Sequence, residues 1–160
     1  MSTYFKPLLV SKDKKETISF NPTDFDEGYK IFEHGYLDTG TCNSVENFLI
    51  NNPFHLAWCD EYSCSISKFP HSKGNPNNLP SGLFIINHTK KEYYSRDEIK
   101  LCEKYKCVYG DQINYINPLP YLTSTYLCCI WEGDLIEISE KIPEDYKKLN
   151  HSEISELLNF

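Results

Sequence analysis

Four apolar runs of the sequence end in side chains that can bind a ligand or move a proton. The runs end at Glu33-His34, at Asp60-Glu61, at Asn87-His88 and at Asn117. Two imidazoles with one or two carboxylates can bind zinc, manganese or iron. A carboxylate and an imidazole whose pKa values are separated by burial can instead act as general acid and base. The sequence therefore offers a candidate site, although it contains no local metal-binding signature such as HExxH.

The strand predicted at residues 29–33 decides how two of these groups point. Consecutive side chains of a strand face opposite ways, so Glu33 and His34 converge only if the strand breaks there. Gly35 directly after them permits such a break. His88, by contrast, continues the apolar stripe of its own run, a position where a histidine is more often a hydrogen-bonded core residue than a ligand.

Aromatic and amide side chains near the same run ends suggest a second kind of site. Trp58 and Trp131 could line a pocket for a flat ligand, with Asn87 and Asn117 supplying hydrogen bonds. The alternative is that these aromatic side chains build the core of the domain. Its 12 Tyr, 9 Phe and 2 Trp would then compensate for a hydrophobic content of 40%.

Bulk composition excludes several classes of function. A chain of 160 residues is long enough for one domain around a single core. A net charge of −7 without a run of basic residues argues against nucleic-acid binding. No apolar run is long enough for a signal peptide or a membrane span, so we expect a cytoplasmic chain without membrane contact. The seven cysteines lack metal-binding spacing, and we expect most of them to be small buried side chains.

The order of predicted elements indicates an α+β fold, one domain over residues 1–160 with a mixed or mostly antiparallel sheet and about three helices packed on it. Residues 65–82 are rich in Pro, Gly and Asn and predict a long loop, either a lid over a pocket or a flexible insertion. Residues 117–120 contain two prolines and are expected to be neither helix nor central strand. We predict strands at 7–10, 16–20, 29–33, 55–59, 83–86, 127–131 and 135–139, and helices that follow the capping boxes at Asn43, Ser95 and Asn150.

Six short blocks resemble an uncharacterised family of small bacterial and phage-type proteins. The blocks are Lys30–Gly35, Ala57–Tyr62, Asn87–Lys91, Asn117–Thr123, Trp131–Asp134 and Pro143–Tyr146. Three positions depart from the family pattern: Gly35 stands for its serine, Asn117 for its histidine, and Glu61 for the aspartate of its Gly-Asp pair. The Gly-rich segment that follows Leu-Thr in the family is missing here. The resemblance marks recurring positions and implies no activity.

These observations favour a small acidic, non-catalytic binding protein that recognises a protein partner or a small polar ligand at the strand ends, without a metal or cofactor. One alternative is a metal-dependent or acid/base hydrolase that uses Glu33, His34, Glu61 and His88. Another is an acidic phage-type inhibitor of a nucleic-acid-binding enzyme, which the charge alone supports. The candidate site residues are Glu33, His34, Trp58, Asp60, Glu61, Asn87, His88, Asn117 and Trp131.

Overall fold

The computed structural model describes residues 3–160 and shows one domain built on a seven-stranded mixed sheet. The strands are β1 Phe5–Val10, β2 Thr17–Ser19, β3 Phe54–Asp60, β4 Phe84–Asn87, β5 Glu92–Ser95, β6 Lys106–Tyr109, β7 Gln112–Tyr115, β8 Leu135–Ser139 and β9 Lys147–Lys148. In the sheet order β2-β1-β3-β8-β4-β5-β9, all neighbouring strands are antiparallel except β5 and β9, which are parallel. Strands β6 and β7 form a separate two-stranded ribbon.

Four α-helices accompany the sheet in residues 3–160: α1 Ile31–His34, α2 Gly40–Leu49, α3 Pro118–Leu122 and α4 His151–Leu157. Short 3₁₀ helices occupy Pro22–Phe25, Ile66–Lys68, Asp97–Leu101 and Glu103–Tyr105. The predicted α+β fold with a mixed sheet is therefore confirmed. None of the helices in the described part of the chain has the length and apolarity needed to cross a membrane.

The two faces of the sheet differ in what covers them. Residues paired across antiparallel strands share a face, so Leu56 and Trp58 of β3, Ile136 of β8 and Ile85 of β4 lie on one side. These side chains are fully buried in one cluster with residues of α2, α3 and α4, and we call this side the core face. The opposite side, the open face, carries Lys6, His55, Phe84, Leu135 and Glu137.

Several predicted elements are confirmed. The first two strands form an antiparallel hairpin, and β3, β4 and β8 coincide closely with predicted strands. Helix α4 begins after Asn150, whose side chain accepts a hydrogen bond from the N–H of Glu153 at 2.8 Å, as its capping box predicts. Helix α2 also exists, but its N-cap is Thr39, and Asn43 lies inside the helix.

The prediction of a strand at residues 29–33 is wrong, because Ile31–His34 forms one helical turn. The Glu33 carboxylate accepts a hydrogen bond from the Lys30 N–H at 3.1 Å and closes the start of that turn. Ile31 and His34, three residues apart, are both buried, which is the helical spacing of an inward face.

Three further predictions are corrected. The Ser95 capping box starts no α-helix: two 3₁₀ helices follow it and lead directly into the β6–β7 ribbon. Residues 117–120 do enter a helix, because Pro118 and Pro120 occupy the first turn of α3, where the N–H groups that proline lacks have no partner within the helix. Residues 127–131 form turns, not a strand.

The loop at residues 65–82 is held along much of its length. The Asn43 side chain donates to the carbonyl of Pro76 at 3.0 Å, and the Asn47 side chain donates to the carbonyls of Asn75 and Asn77. These contacts fix the second half of the loop against α2. Its first half runs past the open face.

We expect Gly35→Ala to lower the free energy of unfolding by about 2 kcal/mol. A Cβ at residue 35 would lie 2.5 Å from the Ile31 carbonyl oxygen, a backbone atom that can move only if α1 unwinds. Gly28→Ala is the matched control, because its Cβ would meet the flexible Glu33 carboxylate, which can swing away. We expect that control to cost less than about 1 kcal/mol. Urea unfolding measures the free energy of unfolding of both variants. Equal losses for Gly35→Ala and Gly28→Ala would contradict the requirement for a glycine at residue 35.

Candidate functional site

His34 lies on the core face and is fully buried. Its Nε2 accepts a hydrogen bond of 2.9 Å from the indole N–H of Trp58, which can only donate. Nδ1 must then carry the proton, and it donates to the carbonyl of Gly28 at 2.9 Å. Both ring nitrogens are therefore occupied, and none remains for a ligand or a metal.

Burial also fixes the charge of His34. It lowers the pKa of the imidazole from 6.5 to about 4, although the Gly28 carbonyl and Glu33 oppose the shift. The ring is therefore neutral at physiological pH. His34 is a structural histidine.

Asp60 and Glu61 follow each other at the end of β3 but serve different places. The buried Asp60 carboxylate accepts hydrogen bonds from the N–H groups of Tyr62 and Ser63, both at 3.0 Å, and from the Thr125 hydroxyl. Burial alone would raise the Asp60 pKa, but these hydrogen bonds outweigh it and lower the pKa. Asp60 therefore holds a turn, whereas Glu61 accepts a hydrogen bond from the Tyr4 N–H at 3.1 Å.

Asn87 and His88 also separate. The Asn87 side chain is buried and donates to Asp134 at 2.8 Å. His88 lies in a hydrogen-bonded chain with the Glu137 carboxylate at 2.7 Å and the Tyr146 hydroxyl at 2.9 Å. Because Glu137 belongs to the open face, His88 lies on the opposite side of the sheet from His34.

Asn117 and Trp131 are buried and satisfied by hydrogen bonds within the chain. Asn117 caps α3 and donates to the buried Glu46 carboxylate at 3.3 Å, which also pairs with Arg96. The Trp131 indole donates to Glu92 at 3.0 Å and stacks on Tyr94. Both side chains are therefore occupied by partners within the chain.

The predicted quartet is therefore not assembled. His34 and His88 lie on opposite faces, Glu33 caps α1, and Glu61 turns towards Tyr4. In residues 3–160 no group of three or more His, Cys, Asp or Glu side chains is placed to hold a metal ion. One of the nine predicted site residues, Glu61, lines a cleft that also contains polar groups with few hydrogen-bond partners.

That cleft has a volume of about 390 Å³ and lies where β1 begins and β3 ends. We call it the Lys6 cleft. Lys6 is only 6% exposed, and its ammonium makes one long hydrogen bond, 3.4 Å, to the carbonyl of Ile66. Within residues 3–160 no carboxylate oxygen lies within 4.0 Å of it. The lining residues are Tyr4, Lys6, Asn21, Tyr29, Glu61, Ile66 and Ser67.

The charge of Lys6 is poorly compensated. Burial lowers the pKa of the ammonium, and the more distant carboxylate of Asp24 opposes the shift. The Phe69 ring lies 5.9 Å from Nζ, so its π-face offers partial compensation. An ammonium can donate three hydrogen bonds, so most of this capacity is left for a ligand.

Other groups of the cleft complement this charge. The Asn21 side-chain oxygen is buried without a hydrogen-bond partner. The rings of Tyr4 and Tyr29 lie 5.6 Å apart and form an aromatic wall. Ile66 and Ser67 belong to the long loop, so the first half of that loop contributes one side of the cleft.

Sequence reasoning selected Glu61 and missed Lys6, Tyr4, Tyr29 and Asn21. One signal was available, because Lys6 interrupts the apolar run from Phe5 to Val10 and a charged residue inside a strand calls for an explanation. The position of Tyr29 at the cleft could not be predicted, because residues 29–33 were expected to form a strand and the helical turn of α1 was not foreseen.

No protein-family model, no curated protein and no solved structure matches the chain. The resemblance of its six blocks to an uncharacterised family stays a prediction.

The buried neutral His34 predicts a pH dependence of stability. Its folded pKa of about 4 lies below the ordinary 6.5, so the unfolded chain binds the extra proton first. The stabilisation is complete above pH 6.5 and is lost as the pH falls towards 4, amounting to about 3 kcal/mol.

Urea unfolding between pH 7 and pH 4 measures this dependence, with His34→Gln expected to show a shallower loss than the native chain. His71→Gln is the control, because the His71 side chain is 61% exposed. The interpretation of His34 would be wrong if His34→Gln lost stability with pH as steeply as the native chain and His71→Gln do.

Proposed function

We propose that this chain is a non-catalytic binding protein whose Lys6 cleft takes a small molecule with an anionic group. The observation that carries the proposal is the buried Lys6, whose ammonium has no carboxylate oxygen within 4.0 Å in residues 3–160. A buried charge is ordinarily paired, because its desolvation costs several kcal/mol. An incoming carboxylate or phosphate would supply the missing counter-charge.

The rest of the cleft indicates the shape of the ligand. Tyr4 and Tyr29 would pack against a flat or apolar portion. The unpaired Asn21 oxygen and the Glu61 carboxylate accept hydrogen bonds, so they favour a ligand that also carries a donor. The proposed ligand is therefore a small aromatic or cyclic acid with a hydroxyl or amino group.

The hydrolase alternative has no assembled site to support it. It required Glu33, His34, Glu61 and His88 to meet, and these side chains have separate partners. In residues 3–160 the side chains that line the Lys6 cleft include no imidazole. The exposed His71 imidazole contacts the Asn21 amide nitrogen at 2.5 Å, but it lies behind Asn21 and is not part of the lining. Binding without catalysis is the function that this cleft supports best.

A residue retained for a ligand is expected to destabilise the unliganded protein. We predict that Lys6→Met raises the free energy of unfolding by roughly 1 kcal/mol, because methionine keeps the apolar stem and removes an uncompensated charge. Urea unfolding measures the change. Lys12→Met, at an exposed turn, is the control and should change stability by less than about 0.5 kcal/mol. Clear destabilisation by Lys6→Met would make Lys6 a structural residue.

Binding is tested by titrating the ¹⁵N-labelled chain with benzoate and with phenyl phosphate, each an aromatic ring with an anionic group. We expect amide shifts at residues 4–6, 21, 29 and 61, which Lys6→Met abolishes and Lys12→Met preserves. Comparison of the two probes distinguishes a carboxylate from a phosphate site. Benzylamine, which presents a cation, should give no shifts there. The proposal fails if neither anion shifts these amides at 10 mM, or if Lys6→Met binds equally well.

A further inference from the structure

Asn21 lies between the Lys6 cleft and an exposed histidine of the long loop. Its side chain lines the cleft, and its amide nitrogen contacts Nδ1 of His71, which lies behind it, at 2.5 Å. The amide oxygen of Asn21 is buried and has no hydrogen-bond partner in residues 3–160. One end of the amide is therefore bonded to His71, and the other end leaves an acceptor for the cleft.

The Asp24 carboxylate determines which nitrogen of the His71 ring can gain a proton. Its Oδ2 lies 3.1 Å from Nε2 of His71. A carboxylate only accepts hydrogen bonds, so Nε2 carries a hydrogen whether the ring is neutral or charged. In the neutral ring Nδ1 is then the acceptor, and the Asn21 amide N–H donates to it. Protonation of the ring adds its hydrogen at Nδ1, the nitrogen that faces Asn21.

Protonation of His71 makes the present orientation of the Asn21 amide unfavourable. With a hydrogen on Nδ1, two donors would face each other across 2.5 Å. A half-turn of the amide removes this conflict, because the amide oxygen then accepts from Nδ1 and the NH₂ group takes the former place of the oxygen. The half-turn breaks no helix cap, since the Asn21 side chain makes no capping hydrogen bond to the 3₁₀ helix that follows it.

Several titratable side chains lie on the two sides of this contact. They are Asp24 and Lys73 beside His71, and Tyr4, Lys6, Tyr29 and Glu61 in the cleft. The Asp24 carboxylate favours the charged imidazole, whereas the Lys73 ammonium opposes it. Among these residue types, histidine is the one that ordinarily changes charge between pH 5 and pH 8.

We propose that His71 is a pH sensor for the Lys6 cleft: its protonation turns the Asn21 amide and replaces the acceptor in the cleft with a donor. This inference rests on the proposed binding of an anion beside Lys6. With neutral His71 the amide oxygen faces the anion and repels it, and with protonated His71 the NH₂ group donates to the anion. The affinity for an anion should therefore rise as the pH falls, roughly fivefold for one added hydrogen bond.

Benzoate titrations of the ¹⁵N-labelled full chain at pH 8 and pH 5.5 test the sensor. Benzoate carries acceptors and no donor, and carboxyl groups are ordinarily ionised at both pH values. The native chain should bind benzoate roughly fivefold more tightly at pH 5.5. His71→Gln should bind it equally at both. A pH dependence that arose from Lys6 or Glu61 would persist in His71→Gln, and that result would overturn the proposal.

Asn21→Ala distinguishes a turn of the amide from a direct effect of the added charge. This variant keeps the His71 imidazole and its charge, and it removes no helix cap. We expect its affinity for benzoate to differ less than about twofold between the two pH values, within the effect of a screened surface charge. If the dependence of the native chain remained in Asn21→Ala, the charge of His71 would act through space and the amide exchange would be wrong.

The amide exchange is also observable without a ligand. The hydrogen bond from the Asn21 amide to Nδ1 of His71 joins two nitrogens, so the ¹⁵N-labelled chain should show a scalar coupling between them at pH 8. The coupling should be absent at pH 5.5, and its persistence there would contradict the exchange.

The two measurements separate failure of the sensor from failure of the anion site. Benzoate that binds the native chain with equal affinity at both pH values would support the anion site and overturn the sensor. Benzoate that binds at neither pH, while the coupling is lost at pH 5.5, would refute the anion site and its regulation although the amide turns.

Discussion

One buried pair of hydrogen bonds, from the Trp58 indole to the His34 imidazole and from His34 to the Gly28 carbonyl, holds α1 against the core face of the sheet. It joins β3 on the core face to the turn of α1. The polypeptide segment before α1 passes the Lys6 cleft at Tyr29. The segment after α1 runs to the edge of β7, where Tyr36 bridges to Ile116. Since Trp can only donate, the imidazole must stay neutral, and burial ensures that it does.

The same need of buried polar groups for hydrogen-bond partners accounts for other residues that sequence alone suggests for a site. Asp60 holds a turn, Asn87 joins β4 to Asp134, and Asn117 caps α3 beside the buried ion pair of Glu46 and Arg96. A domain rich in aromatic residues buries many polar groups, and each must find a partner. Polar residues at run ends are therefore first of all hydrogen-bond partners of the backbone and of other side chains.

The sequence predicted what depends on local rules and missed what depends on contacts distant in the chain. Alternation located β3, β4 and β8, and the capping box at Asn150 located α4. The equally good box at Ser95 failed because Tyr105 is buried and the following residues pair as a ribbon, a tertiary preference that overrides local propensity. The α1 turn was read as a strand because its helical spacing of Ile31 and His34 extends over a single turn.

The candidate site was unpredictable for a related reason. Glu61 was selected as a carboxylate, yet its importance comes from Tyr4, 57 residues away in sequence, to which it bonds. Lys6 is exceptional only when its surroundings are known: an exposed lysine on an edge strand would be ordinary, whereas one beneath the loop at Ile66 without a counter-ion is not. In residues 3–160 no carboxylate oxygen lies within 4.0 Å of this ammonium, and that missing counter-charge is the feature on which the proposed ligand site is based.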